Sequence, residues 1–171
     1  MTIVILDGLP GVGKSFIASK IFHDIFGYHF YDADVDLPEE EIQSIKRGLK
    51  PTLQMRHDHI MRIINTTKKL KTMHASMVIA HAFIQNRYRQ IFCEQIPQAL
   101  FMLVECASSV RQRRCALRQN HVIKNKFVFA LDEDYQSPKM SHTVVNNDFD
   151  GTQKLIEQIN NIVLAKVSNQ N

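Results

Sequence analysis

The sequence lacks the features that mark several large classes of protein. No apolar run approaches the roughly 20 residues of a membrane-spanning helix, so we expect no contact with a membrane. The apolar start of the chain, Thr2 to Leu6, has no basic residues before it and ends at Asp7, which is not the pattern of a signal peptide. The three cysteines show no Cys-x-x-Cys spacing, so we expect reduced thiols in a cytoplasmic protein, without a zinc site or disulfide bonds.

The composition is that of a single folded domain covering residues 1–171. Apolar residues make up 44% of the chain and charged residues 22%, which excludes a disordered chain, a collagen and a coiled coil. There is no internal repeat and no linker. The net charge of +4 favours an anionic partner, such as a phosphorylated small molecule or a nucleic acid.

Apolar, strand-like segments alternate with segments of helical periodicity. The predicted strands are Thr2–Leu6, Tyr28–Tyr31, Met77–Ala80, Leu100–Val104 and Thr143–Val145. The predicted helices are Lys14–Phe26, Glu39–Arg47, Thr52–Leu70, Ile84–Glu94, a helix capped by Ser108 or Ser109, and Leu155–Val167. This alternation predicts an α/β fold built from parallel βαβ units.

One motif is specific. Residues 8–15 read GLPGVGKS and match the phosphate-binding pattern G-x-x-x-x-G-K-[ST]. A strand enters this P-loop and a helix leaves it, so its backbone amides and the positive end of the helix dipole can face a phosphate group. We expect Lys14 to reach the β- and γ-phosphates of a nucleoside triphosphate and Ser15 to ligate Mg²⁺.

Other P-loop classes fit less well. A GTPase needs D-x-x-G followed by N-K-x-D, and the chain has Asp148–Gly151 too late and Asn125–Val128 without the final acid. A motor or transporter ATPase usually has an acid directly after a strand, and the third strand is followed by His81. Glu105 does follow the fourth strand, but an acid at a strand end is often only solvated. A small kinase is the better interpretation.

Two carboxylates follow the second predicted strand, at the sheet edge where ligands bind in open α/β folds. Asp32 is placed to help hold Mg²⁺, and Asp34 to orient and deprotonate a hydroxyl group of the phosphate acceptor. A loop pair used only for capping is the alternative.

Arginine and histidine residues give further candidates. Arg111, Arg113, Arg114 and Arg118 form the densest positive charge in the chain and suit a triphosphate, although a solvated basic helix face is the alternative. His81 follows the third strand and either lines an acceptor pocket or is a hydrogen-bonded core histidine. His57 and His59 point to different sides of a helix, so we interpret them as surface or pocket residues and not as a metal site.

Over nearly its whole length the sequence resembles the gluconokinase and shikimate kinase group of P-loop small-molecule kinases. Beyond the P-loop, the resemblance rests on Asp32, Asp34, Pro38, Gly48, Arg56, the Tyr88–Arg89 pair, and the lid pattern Arg114, Arg118 and His121. It implies a P-loop NTPase fold with a five-stranded parallel sheet, acceptor-binding helices at about 35–72 and a lid at about 118–127. Leu37, Gln54 and Met55 depart from the gluconokinase pattern, so the acceptor is not identified.

The resemblance implies an ATP-dependent phosphotransferase with Mg²⁺ that acts on an alcohol group of a small polar metabolite, gluconate-like or shikimate-like. The implied catalytic residues are Lys14, Asp34 and Arg118. The implied nucleotide-binding residues are Gly8, Gly11, Val12, Gly13, Lys14, Ser15, Phe16 and Arg114, with Arg114 packed against adenine. Asp34, Arg56 and His81 would bind the acceptor, and Ser15 and Asp32 the metal.

Two other functions stay open at this point: a nucleotide or polynucleotide 5′-kinase, and a nucleotide-binding protein with a degenerate acceptor site. The small size and modest basic character disfavour a long nucleic acid as a partner. We expect a monomer or a homodimer.

Overall fold

The computed structural model describes residues 2–117, 131–148 and 151–168. Within them five strands form one parallel sheet, in the spatial order β2-β3-β1-β4-β5. The strands are β1 (Thr2–Asp7), β2 (His29–Asp32), β3 (Ser76–Ala80), β4 (Ala99–Glu105) and β5 (Thr143–Asn146). The predicted five-stranded parallel sheet flanked by helices is therefore confirmed, and each predicted strand lies within one or two residues of its observed bounds.

The central strand β1 is buried on both faces, which explains why it reads as a continuous apolar run. Successive side chains alternate between the two faces of a strand. Ile3 and Ile5 point into a core on one side of the sheet. Val4 and Leu6 point into the core on the other side. Full burial of each such side chain contributes about 1.5–3 kcal/mol to folding.

Helices cover both faces of the sheet. They are α1 (Lys14–Ile17), α2 (Glu39–Lys46), α3 (Leu53–Leu70), α4 (Asn86–Gln95), α5 (Ser108–Ala116) and α6 (Gln153–Ser168). A π-helical segment (Ala18–His23) continues α1, and two 3₁₀ turns cover Ala33–Asp36 and Asp132–Asp134. Helix α3 packs on the side of Ile3 and Ile5, and the π-helical segment packs on the other side. Among the described helices we find none both long and apolar enough to cross a membrane.

The predicted capping of α5 by Ser108 or Ser109 was wrong. Ala107 occupies the N-cap position, and it makes no side-chain hydrogen bond to the helix. Instead, the carboxylate of Asp148, from the chain after β5, accepts a hydrogen bond of 2.5 Å from the backbone N–H of Ala107. A residue distant in sequence thus holds the backbone at the start of α5.

Candidate functional site

The P-loop lies at the carboxyl end of β1, in the middle of the sheet. Gly13 has a φ of 100° and ends the loop, and α1 begins at Lys14. The Lys14 ammonium donates hydrogen bonds to the carbonyl oxygens of Gly8, at 2.8 Å, and Leu9, at 3.0 Å. The side chain therefore lies along the loop, where a bound polyphosphate would draw the ammonium to itself.

Gly8 is required where β1 turns into the loop. Its φ is 135°, a backbone conformation that residues other than glycine rarely adopt. A Cβ atom at this position would lie 2.4 Å from the carbonyl oxygen of Val104 in the neighbouring strand β4. The loop can only pass this close to β4 because the residue has no side chain.

Side chains from distant elements hold the loop from outside. Arg111 of α5 donates a hydrogen bond of 2.8 Å from Nε to the carbonyl of Pro10. Asn147, which follows β5, donates one of 2.7 Å to the carbonyl of Val12, and Arg114 donates another of 3.3 Å to the same oxygen. The structure thus places Arg114 against the P-loop, while its predicted contact with adenine stays a prediction.

A buried ion pair lies directly under the loop. Asp7, the last residue of β1, is 1% exposed, and its Oδ2 accepts a hydrogen bond of 2.7 Å from Nε of Arg89, which is equally buried. Its Oδ1 accepts hydrogen bonds from the backbone N–H groups of Gly8 and Phe83. This carboxylate therefore fixes the start of the P-loop and the segment after β3 together.

Asp32 caps the turn that follows it, as one of the two interpretations predicted, and it also contacts Ser15. Its Oδ1 caps the following 3₁₀ turn by accepting a hydrogen bond of 3.2 Å from the backbone N–H of Asp34. Its Oδ2 lies 3.3 Å from the hydroxyl of Ser15, which donates to it. Two hard oxygen donors thus lie side by side at the start of α1, a donor set that fits Mg²⁺.

One pocket of about 300 Å³ connects the P-loop with the predicted acceptor residues. Of the predicted site residues, Gly11, Lys14, Ser15, Asp32, Asp34, Arg56 and His81 line it. Gly8, Val12, Gly13 and Arg114 shape or hold the loop without lining this pocket, and Phe16 is 47% exposed on the first turn of α1. Arg118 and His121, together with the predicted lid at about 118–127, lie outside the described residues.

Arg56 lies on α3 with only 11% of its side chain exposed. It donates a hydrogen bond of 3.4 Å from Nε to the carbonyl of Pro51, and its Nη2 is 3.5 Å from Oδ2 of Asp134. Asp134 also lies 3.2 Å from the ammonium of Lys50. The predicted acceptor-binding arginine therefore has a carboxylate partner from the chain itself.

The inner wall of the pocket is polar but buried. Glu41 of α2, His59 of α3 and His81, which follows β3, are each less than 9% exposed. Burial raises the pKa of Glu41 to about 7, against the lowering effect of nearby Arg56. Burial also lowers the pKa of His59 and lowers that of His81 well below its usual range. Both imidazoles are thus neutral at pH 7, so the 3.9 Å approach of His59 Nδ1 to Glu41 Oε2 is not an ion pair.

Sequence reasoning missed three of the acids described here. Glu41 is hidden in the run Glu39–Glu41, but it lies four residues before buried Ile45, so both share one face of α2. Asp7 follows an apolar strand directly, which is the signal that could have identified it. Asp134 gave no signal, because its partner Arg56 lies 78 residues earlier in the chain.

Two curated proteins illustrate the sequence similarity of this chain. It is 27% identical to the thermoresistant gluconokinase of Escherichia coli (strain K12) over 150 residues, which cover 84% of this chain and 81% of that protein. It is 21% identical to a probable gluconokinase of Saccharomyces cerevisiae (strain ATCC 204508 / S288c) over 179 aligned positions, which cover 98% and 93% of the two chains. No family model matches the chain.

Solved structures show the same fold. A sugar kinase from Janibacter sp. HTCC2649 superposes with a TM-score of 0.79 at 20% identity, covering 93% of this chain and 92% of that one. A gluconokinase from Sinorhizobium meliloti 1021 has a TM-score of 0.73 at 20% identity, with 92% and 87% covered. A shikimate kinase from Acinetobacter baumannii is more distant, with a TM-score of 0.63 at 14% identity and 97% and 94% covered.

The strand order and the P-loop are those of the P-loop kinase fold, and the chain is similar in sequence and structure to small-molecule kinases of that fold. Within that class the chain is gluconokinase-like, since both curated relatives and one of the superposed structures carry that name.

Proposed function

We propose that the chain transfers the γ-phosphoryl group of ATP to a hydroxyl group of a small sugar acid of the gluconate type. The observation that carries the proposal is the single pocket that Lys14 and Ser15 of the P-loop share with Asp34 and Arg56. A donor and an acceptor bound in one pocket can react without diffusing apart, which is the main requirement for phosphoryl transfer.

The phosphate-binding half of the pocket provides fixed positive charge. Lys14 and the amide groups of the loop would stabilise the charge of the transferring group, once the ammonium turns from the carbonyl oxygens of Gly8 and Leu9 to the phosphates. Ser15 and Asp32, 3.3 Å apart, are the residues that would hold Mg²⁺. When bound, the ion would neutralise phosphate charge.

The acceptor half provides a base and an anchor. Asp34 is an exposed residue that lines the pocket, two residues after Asp32, and its carboxylate could accept the proton of the attacking hydroxyl. Arg56 presents a guanidinium group, whose geometry fits a carboxylate in two parallel hydrogen bonds. A sugar acid has both groups that these residues would bind.

The test is a transfer assay with radiolabelled ATP and Mg²⁺ on a panel of gluconate, other sugar acids, shikimate and a 5′-hydroxyl oligonucleotide. We expect label on a sugar acid and none on the oligonucleotide. Transfer to the oligonucleotide would favour a polynucleotide kinase, and ATP binding without transfer to any acceptor would favour a degenerate site. Either result would overturn the proposal.

Two variants separate the roles. Lys14→Ala should abolish transfer while the fold is kept. Asp34→Asn should lower kcat by at least about 100-fold, with the KM for ATP changed by less than about 2-fold, because a general base contributes to the chemical step and not to nucleotide binding. Asp58→Asn, the same substitution on the exposed side of α3, is the matched control and should leave kcat unchanged. An equal loss of kcat and ATP affinity in Asp34→Asn would exclude its role as a base.

A further inference from the structure

Two buried polar atoms on the inner wall of the pocket have no hydrogen-bond partner within the described part of the chain. They are Oε2 of Glu41 and Nδ1 of His81. The residues are only 6% and 8% exposed, and both line the pocket. A buried polar atom without a partner costs free energy, so native proteins satisfy nearly all such atoms. Two of them in one pocket point to a bound polar ligand.

His59 joins these two residues into one cluster. Its Nε2 is 2.9 Å from the carbonyl oxygen of Ala33, which can only accept, so the proton of the neutral ring is on Nε2. The ring lies 5.0 Å from that of His81, edge to face, and its Nδ1 is 3.9 Å from Oε2 of Glu41. The ring of His59 therefore lies next to both side chains.

The cluster favours uncharged ligand groups. Both histidines are neutral, and Glu41 is close to half protonated at pH 7, since burial raises its pKa to about 7. A hydroxyl group can donate to Glu41 or His81 and can accept from a protonated Glu41. The cations near this wall are Arg56, Lys14 and Arg89, which are not part of the cluster. No cluster of three or more His, Cys, Asp or Glu within the described ranges has the arrangement to hold a metal ion.

The rest of this wall is apolar. Ile45, Ile84 and Leu131 form a small buried cluster, and the ring of Phe83 packs at 4.7 Å against that of His81. An acceptor without hydroxyl groups at this depth would leave Glu41 and His81 unpaired and would gain no polar contact in exchange. Sites of this kind discriminate strongly against analogues that lack the hydroxyl.

We propose that Glu41 and His81 bind hydroxyl groups of the acceptor and thereby restrict the enzyme to polyhydroxylated acids, an inference that rests on the proposed function of the pocket as a sugar-acid site. Arg56 would bind the carboxylate and Asp34 the hydroxyl that becomes phosphorylated. Glu41 and His81 would recognise hydroxyl groups that do not react.

The first test uses the wild-type chain with D-gluconate and its monodeoxy analogues, each lacking one hydroxyl group. We expect kcat/KM to fall by at least about 100-fold for an analogue that leaves Glu41 or His81 unpaired, and to change little for analogues modified elsewhere on the non-reacting carbons. Wild-type transfer to gluconate and to every reactive analogue with similar kcat/KM would overturn the inference.

The second test uses Glu41→Met and His81→Leu, which remove the polar atoms with a modest change of volume. Each should lower kcat/KM for gluconate and reduce the discrimination against one deoxy analogue to less than about 5-fold, because the hydroxyl then has no partner to lose. Glu40→Met, exposed and adjacent on α2, and His74→Leu, half-buried and outside the pocket, are the matched controls and should keep the wild-type discrimination.

A changed KM for ATP together with a lowered thermal unfolding midpoint identifies a variant that is misfolded. In that case the series of deoxy analogues with the wild-type chain decides alone. Retained discrimination in both folded variants would overturn the inference while leaving the proposed function in place. Absence of wild-type transfer to any sugar acid would overturn both.

Discussion

The P-loop and the acceptor pocket share one cavity, but they obtain their shape in different ways. The loop depends on backbone conformation, with glycines at positive φ and with carbonyl oxygens of Pro10 and Val12 held by Arg111 and Asn147. The acceptor pocket depends on side chains from α2, α3 and the end of β3, some of which are buried without a partner in the described chain. Few residue types can adopt the backbone conformation of the loop, whereas the side chains that line the acceptor pocket can be substituted one at a time.

The largest effect should come from breaking the backbone side of this comparison. Gly8→Ala forces a Cβ atom to within 2.4 Å of a carbonyl oxygen of β4, in a φ region that alanine avoids. We expect a loss of at least about 2 kcal/mol of unfolding free energy, a drop of roughly 4–8 °C in Tm, because neither backbone can move aside. Transfer should fall by at least about 100-fold, since the amide groups no longer surround the phosphates. Thermal unfolding and the transfer assay measure the two effects.

Gly27→Ala is the control for that substitution. Gly27 also has a positive φ, 71°, but a Cβ atom there would meet nothing within 4 Å. Gly27→Ala should lower the unfolding free energy by only about 1 kcal/mol and leave phosphoryl transfer unchanged. Equal losses of stability and of transfer in Gly8→Ala and Gly27→Ala would show that the close approach of the loop to β4 does not determine these losses.

A pH-dependent effect on stability should come from the side-chain half of this comparison. The carboxyl group of Glu41 has a pKa of about 7 in the folded chain, raised by burial from an ordinary value of 4.5. Between these pH values the folded chain holds a proton that the unfolded chain has released. The resulting stabilisation is complete below about pH 4.5 and is lost as the pH rises through 7.

Glu41→Gln removes this titration. The unfolding free energy of the wild type, relative to that of Glu41→Gln, should therefore decline between about pH 4.5 and 7, by up to about 3 kcal/mol. Urea unfolding at several pH values measures the difference. The unfolding free energy of the exposed neighbour variant Glu40→Gln should depend on pH in the same way as that of the wild type. A difference between the wild type and Glu41→Gln that does not change with pH would mean that the Glu41 carboxyl is not desolvated.

The smallest effect concerns the contact between Arg56 and Asp134. A sugar acid that binds Arg56 must replace or share this carboxylate, which lies 3.5 Å away and is 29% exposed. Partly exposed pairs of this kind contribute less than about 1 kcal/mol. Asp134→Asn should therefore lower the KM for the acid acceptor by about 2- to 5-fold with kcat unchanged.

Glu133→Gln is the matched control, because Glu133 contacts Lys50 and not Arg56, and it should leave the KM for the acceptor unchanged. A rise of KM in Asp134→Asn would mean that Asp134 instead holds Arg56 in its binding position.

The sequence was sufficient for the parts of the molecule that follow local rules. The P-loop could be predicted because Gly8, Gly13 and Lys14 occupy positions that phosphate binding requires, and β1 because a strand buried on both faces is continuously apolar. The paired role of Asp32 could be predicted only in outline, since its capping and its contact with Ser15 both follow from its place after β2.

The parts that failed depend on contacts between residues far apart in the chain. The start of α5 is held by Asp148 and is not capped by the adjacent serines, and the partner of Arg89 is Asp7, 82 residues earlier. The spacing of Glu41 from Ile45 places both on one face of α2, but only the packing of α2 against the pocket shows that this face is buried at Glu41.

Residues 132–136, around the second 3₁₀ turn, contact both the nucleotide side and the acceptor side of the site. Asp132 forms two hydrogen bonds with Arg111, Asp134 faces Arg56, and the carbonyl of Gln136 accepts a hydrogen bond from Arg89. These five residues thus connect the nucleotide side with the acceptor side. We expect that inserting one residue here would disturb the recognition of both substrates at once, which a change within either half alone would not do.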